Sequence, residues 1–351
     1  MTPASPTLRS ILLTLGLGAL LAGPALAQTA AEILPGKGVK VVPVKSALPE
    51  EAFQTTIVVR ALERLGYDVA SIEEATQAGE HELVASGAAT FMATHWAPLQ
   101  DDLYAKVGGD AQLWRNSAFI TDVQPGWFVD KKTADAHGIQ SVTDLQKPEI
   151  AKLFDRDGDG RANLIGCNAD WACAGANAQR VLAWGLGERV QQEQGDYAEL
   201  MREAVTRVQQ GESVLYYGWS PYWVAKVLQP GRDVVALTAP QVADAAPAAE
   251  ATDAASTEAV APAASAEAAN VGFGVNTQRI VVNRAFIEAN PVAARLFEVI
   301  KLPASDIGLQ NYAMYKGQFE RFKVDSHVDG WLRANQDTFN GWIAEALKVP
   351  H

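Results

Sequence analysis

Apolar positions along the chain follow two alternating rhythms. Short apolar runs read as strands at GVKVVPV (38–44), FMAT (91–94), GWFVD (126–130), ANLIG (162–166), SVLYY (213–217), DVVALT (233–238) and QRIVVN (278–283). Between them lie stretches of helical period. PEEAFQTTIVVRALERLG places Pro49 near a helix start and Gly66 at its end. HELVASGAA, SVTDLQKPEIAKLF (opened by Ser141), ACAGANAQRVLAWGL and AFIEANPVAARLFEVI read as further helices, and HVDGWLRANQDTFNGWIAEAL as one long one. Strands alternating with helices predict α/β architecture built on parallel sheets.

The ends and the middle of the chain add organisation. Residues 1–27 hold one positive charge, Arg9, an apolar run from Ile11 to about Ala22, and a closing Ala25-Leu26-Ala27. That is the pattern of a secretory signal peptide cleaved before Gln28, and its apolar run is short for a bilayer span. No cysteine stands near the cleavage point to carry a lipid. The expected product is a soluble periplasmic protein in a compartment that permits disulfides. Removing 27 residues leaves 324 and changes the net charge from −12 to −13. That length suits two domains, and that acidity argues against nucleic acid or anionic lipid as partner. Residues 239–270 are half alanine, with five acids, no base and no aromatic, and read as a disordered surface insertion.

Three tryptophans follow three of the predicted strands. Trp96 comes after FMAT, Trp171 after ANLIG, and Trp219 after SVLYY. Ligands of open α/β sheets bind beyond the carboxyl ends of strands, so these loops are where a site belongs. One tryptophan there is ordinary packing; three at equivalent places predict an aromatic cage. Trp223 is assigned to packing beneath its loop, and Trp114, Trp127, Trp184, Trp331 and Trp342 to packing elsewhere. An indole face attracts cations, and a quaternary ammonium suits it because it is bulky, weakly hydrated and has no N–H to donate. After Trp171 the predicted helix offers unpaired first-turn amides at Ala172 and Cys173, a ready carboxylate site. A ring for a cation beside two amides for an anion matches a small zwitterion.

In these stretches the sequence resembles the ProX-type glycine betaine/proline betaine-binding periplasmic components of osmoprotectant ABC importers. The resemblance is carried by LPGKGVKVVPV, FQTTIVVRALERLGYDV, HWAPL, DKKTAD, IAKLFDRDGDGRANLIGCNADWACAGA, YYGWSPYW and HVDGW, in that order. It covers the chain after the leader, apart from 239–270. It implies a type II-like periplasmic binding fold: two α/β lobes joined by a two-strand hinge. Lobe one would be 28–122 plus 273–351, and lobe two 123–272. It implies Trp96, Trp171 and Trp219 as the ammonium cage, and the Ala172 and Cys173 backbone amides as carboxylate donors. A family histidine that also contacts the carboxylate corresponds here to Gln100, which donates a hydrogen bond but no charge. His95, next to Trp96, is not assigned that role. Implied partners are a betaine ligand and the permease and ATPase subunits of an importer, with the binding protein a monomer. No Walker A motif and no base, metal or flavin signature is found, so no enzymatic role is expected. Rival readings are a receptor for carnitine, ectoine or another cationic zwitterion, a sensing module, or a secreted choline- or betaine-handling enzyme.

Both cysteines lie in GCNADWACAG. No Cys/His pair is at hand for a nucleophile, and no further ligands stand at metal spacing. In an oxidising compartment the expected outcome is a Cys167–Cys173 disulfide that orders the Trp171 loop. Asp155, Asp157, Asp159 and Gly160 match the start of an EF-hand loop, with Asn163 at its ninth position. The twelfth position, normally a bidentate Glu, is Gly166. The loop therefore reads either as a structural calcium site or as an acidic turn; no other cofactor is expected.

Overall fold

The computed structural model describes residues 34–240 and 273–350. The predicted leader and all but Ala239 and Pro240 of the alanine-rich stretch lie outside the described residues.

The described residues form twelve strands: β1 Lys40–Val41, β2 Pro43–Ser46, β3 Asp68–Val69, β4 Glu73–Ala75, β5 Phe91–Ala97, β6 Leu113–Arg115, β7 Ile120–Asp130, β8 Ala162–Ile165, β9 Val190–Glu193, β10 Leu215–Ser220, β11 Val234–Ala236 and β12 Asn276–Asn283. The main sheet has the order β4-β2-β5-β12-β7-β10-β8-β9, with β6 on β12 and β11 on β7; β1 and β3 pair separately. The predicted parallel sheet is therefore corrected to a mixed one. β2 runs parallel to β4 and β5, and β8 to β9 and β10, but β12 is antiparallel to β5 and β7, and β7 to β10. The reason is that β7 and β12, the two long strands, pass through the middle of the sheet against their neighbours.

Apolar side chains gather around this sheet in separate cores. One includes Ile57, Leu62, Phe91, Ile280, Phe297 and Val328. Another includes Trp127, Leu164, Met201, Tyr216, Leu237 and Phe273. β7 serves both. Its Ile120 and Val123 belong to the first and pair with β12, whereas Trp127 and Val129 belong to the second and pair with β10. Asp122, between Ile120 and Val123, has φ 62°, a left-handed conformation rare for a residue with a side chain.

Several helices begin or break where local chemistry dictates. The helix Ala52–Arg64 follows a 3₁₀ turn that opens at Pro49, and Phe53, Ile57, Val58, Ala61 and Leu62 bury one face of it. The predicted helix 285–300 is two, Arg284–Ala289 and Pro291–Val299, because Pro291 cannot continue a helix from Asn290. The long C-terminal helix also divides, into Arg321–Ala334 and Gln336–Ala346, at Asn335. The stretch 141–154 becomes short turns around Pro148, whose predecessor Lys147 is extended. β9 and the helices Tyr197–Gln210 and Ala304–Tyr315 were not expected from the apolar pattern. Among the described residues no helix is long and apolar enough to cross a membrane.

Candidate ligand-binding site

β5 and β10 extend further than their apolar runs, so Trp96 and Trp219 stand on the last turns of strand rather than in the loops beyond. This corrects their predicted placement; each strand then turns at a cis X–Pro bond, Ala97–Pro98 and Ser220–Pro221. Trp171 does lie in a loop, between β8 and the helix Ala172–Ala183. That loop is closed by the Cys167–Cys173 disulfide, as expected. Asn168 ties it down further: its carbonyl accepts from Trp171 N at 3.0 Å, and its Oδ1 accepts from Tyr197 N at 3.0 Å.

All three tryptophans line one cavity, together with Leu48, Glu51, Gln77, Leu99, Val123, Cys173, Tyr217 and Asn276. Each is half-buried, whereas Trp127 and Trp223 are wholly enclosed. Trp96 and Trp219 meet edge to face, with centroids 6.2 Å apart and planes at 71°. Behind Trp219 stand Tyr197, stacked at 4.8 Å, and Tyr222 at 4.7 Å. This aromatic backing fixes the ring, so its face is held ready rather than ordered on demand. Trp223 packs elsewhere, stacked on Tyr315 at 4.1 Å.

Ala172 opens its helix, and its residue is not among those with positive φ, so an alanine presents the amide without strain. Trp171 supplies no side-chain cap. The Ala172 amide instead donates to Gln77 Oε1 at 3.0 Å, across 95 residues of sequence. Gln100 is buried and does not line the cavity. Its Oε1 accepts from Trp96 N at 3.0 Å, and its backbone N–H donates to Trp96 O at 2.7 Å. The side chain thus closes the turn that carries Trp96.

Titratable groups crowd the first core's side of the cavity. Glu51 is buried; its Oε2 accepts from Ser46 N at 3.1 Å and Ser46 Oγ at 2.6 Å. Burial pushes its carboxyl up to about 7, against the pull of Ser46, Lys45 and the Trp96 side chain. Glu80, bonded by Thr94 Oγ1 at 2.7 Å, is also raised, by burial and then by Glu51. His95 points away from the cavity that Trp96 lines. His81 Nε2 meets His95 Nδ1 at 3.0 Å, and His95 Nε2 lies 3.3 Å from Asp101 Oδ1, which also binds Arg115 at 2.6 Å. Burial, then the neighbouring ring, lowers His81 to about 4; burial also lowers His95.

The acidic loop is placed at a distance in sequence from these groups. Carboxylate oxygens of Asp155, Asp157 and Asp159 lie within 4.8 Å of one another, a spacing a cation could bridge. They are also occupied from within. Asp155 accepts from Gly158 N and Gly160 N at 2.7 and 2.8 Å, Asp159 holds Arg161 at 2.6 Å, and Asp157 accepts from Gln191 Nε2 at 2.6 Å.

Comparison with known proteins settles the family. The sequence model described as the substrate binding domain of ABC-type glycine betaine transport systems, OpuAC, matches residues 39–334. The chain belongs to that family. It is 43% identical over 320 residues to the glycine betaine/proline betaine-binding periplasmic protein of Escherichia coli, covering 91% of this chain and 94% of that one. To the glycine betaine-binding periplasmic protein OusX of Dickeya dadantii it is 43% identical over 317 residues, covering 90% and 92%. Among solved structures it is similar to lactococcal OpuAC in its closed form with glycine betaine. The TM-score is 0.63, with 14% identity, over 87% of this chain and 99% of that one. The ProX protein of Borrelia burgdorferi gives 0.64, with 15% identity, over 86% and 96%. The α/β periplasmic binding fold expected from the sequence is thus found, in the form shared with OpuAC and ProX proteins.

Among the cavity residues of this OpuAC-family chain that escaped the sequence reading are Gln77 and Glu51. Gln77 carries no local mark; it follows Thr76, whose hydroxyl caps the helix at Gly79 N, and reads as an ordinary first-turn residue. Glu51 reads as one of two acids at a helix start, and only the fold brings it beside Trp96.

Proposed function

We propose that this chain is a periplasmic receptor that captures glycine betaine or proline betaine and hands it to the permease and ATPase subunits of an ABC importer. The observation that carries this is the convergence of Trp96, Trp171 and Trp219 on one cavity beside the first amide of the helix Ala172–Ala183. The rings take the quaternary ammonium, and the amides of Ala172 and Cys173 take the carboxylate at the positive end of the helix dipole. The names of relatives 43% identical over nine-tenths of the chain point to the same ligand class. Gln100 serves this site by holding the Trp96 turn.

In this reading the two cores are two lobes, near 28–122 plus 273–351 and near 123–272, with β7 and β12 as the hinge strands. Trp96 comes from the first, Trp171 and Trp219 from the second, and a bound betaine bridges them and favours the closed form. The role is binding rather than catalysis, and the periplasm follows from the predicted leader and the relatives' location.

The deciding experiment is calorimetric titration of the mature, ligand-stripped protein with glycine betaine, proline betaine, choline and carnitine. Saturable betaine binding with choline much weaker is expected. No betaine binding by folded, disulfide-intact protein would refute the reading, and tighter carnitine binding would reassign the ligand within the class.

A further inference from the structure

We propose that Gln77 is a built-in stand-in for the ligand's carboxylate, and so sets both affinity and the margin of betaine over choline. The inference rests on the betaine reading of this same cavity. Gln77 Oε1 sits 3.0 Å from Ala172 N, where an oxygen of the ligand's carboxylate would bind. Gln77 lines the cavity and is nearly buried, so the contact is shielded from water. Ala172 N has a single hydrogen to give. A carboxylate can take it only after Gln77 has let go.

The geometry makes the contact a chosen one. Gln77 is the first residue of the helix Gln77–Ser86, and its backbone is anchored: its carbonyl oxygen is 2.7 Å from His81 Nδ1. Releasing the Ala172 amide therefore needs rotation of the side chain only, while its root stays fixed. A neutral amide oxygen is a weaker acceptor than a carboxylate. In the two-lobe reading this bond crosses from lobe one to lobe two, so it forms when the lobes close without ligand, and there it can hold the amide and still yield to the ligand. Apparent affinity is then reduced by the fraction of molecules in which the amide is engaged.

Choline carries the ammonium without the carboxylate. It has no claim on the Ala172 amide and does not have to displace Gln77. Removing the side chain should therefore help betaine and leave choline as it was.

The test is calorimetry on the full mature chain, comparing wild type, Gln77→Ala and Gln77→Glu with glycine betaine and with choline. Amide exchange at Ala172 is followed by NMR in the ligand-free proteins. The helix keeps its Thr76 cap and the backbone bond to His81 in both variants, so folding is preserved. Gln77→Ala should tighten betaine binding roughly fivefold, the worth of one ordinary hydrogen bond, and leave choline unchanged. Gln77→Glu places a charged acceptor on the same amide and should weaken betaine binding by roughly tenfold or more at neutral pH. Exchange at Ala172 should be slow in wild type and quicken in Gln77→Ala. Unchanged or weaker betaine binding in Gln77→Ala would overturn the proposal, as would equal tightening of choline, which marks simple crowding. Unaltered exchange at Ala172 would overturn it even if the wild type failed to bind betaine. Failure of betaine to bind any of the three proteins, with the exchange difference intact, would instead refute the ligand assignment and the affinity role together, leaving only the contact.

Discussion

Glu51 and His81 lie in the same region of the fold and should pull the protein's stability in opposite directions with pH. Glu51 is raised from an ordinary 4.5 to about 7, so between those values the folded protein holds a proton that the unfolded chain has lost. Its contribution is favourable at low pH and is lost as pH rises toward 7. His81 is lowered from 6.5 to about 4, so between those values the unfolded chain holds the extra proton. Its contribution is present above 6.5 and is lost as pH falls toward 4. Each proton is worth up to about 1.4 kcal/mol per pH unit, and allowing for gradual titration each group alone changes stability by about 2 kcal/mol between pH 4.5 and 6.5. The two nearly cancel in the wild type. Glu80 and His95, shifted in the same senses as Glu51 and His81, reinforce the two sides, with Lys45, Asp101 and Arg115 as the charged neighbours. Denaturant unfolding followed by tryptophan fluorescence at pH 4.5, 5.5 and 6.5 separates them. Relative to wild type, Glu51→Gln should gain about 2 kcal/mol on going from pH 4.5 to 6.5, and His81→Gln should lose about as much. Release of Glu80 from its charged neighbour enlarges the first effect. Profiles of either variant running parallel to wild type would refute the reasoning, because they would mean that Lys45 keeps Glu51 ionised or that water reaches His81.

Trp171→Ala should weaken betaine binding at least roughly tenfold, more than one exposed cation–π contact, because it opens the cage; calorimetry reads this, and wild-type affinity would remove Trp171 from the site. Gln100→Ala strands the Trp96 amide and should lower stability by about 1–3 kcal/mol while leaving the betaine-to-choline ratio unchanged; a selective loss of betaine would place Gln100 at the carboxylate instead. Replacing both Cys167 and Cys173 by serine opens a short loop, which should lower stability by about 2 kcal/mol and weaken betaine binding through a looser Trp171; unchanged affinity would mean that Asn168 alone orders the loop. Added calcium should leave the unfolding temperature unchanged, because the Asp155, Asp157 and Asp159 oxygens already serve Gly158, Gly160, Gln191 and Arg161; a saturable rise that Asp157→Asn removes would establish a metal there.

The convergence of the three tryptophans on one cavity was legible because they share a local signature, a tryptophan at the end of an apolar run, that needs no knowledge of what packs against what. The cysteine loop was legible for a similar reason: two cysteines six residues apart in a chain with a predicted secretory leader have few other expected uses. Sheet direction was not, because the antiparallel pairing of β7 with β12 joins residues more than 150 apart, and apolar runs read alike in either direction. The extra length of β5 and β10 was hidden for another reason. His95 and Gly218 interrupt the apolar runs, yet backbone pairing carries each strand through them. Gln77 shows the limit most clearly. Its place on the Ala172 amide depends on a helix from one part of the chain meeting a helix start 95 residues later. The tryptophans of the proposed cage thus mark themselves in the sequence, whereas the residue proposed to compete with the ligand resembles nothing until the fold brings it there.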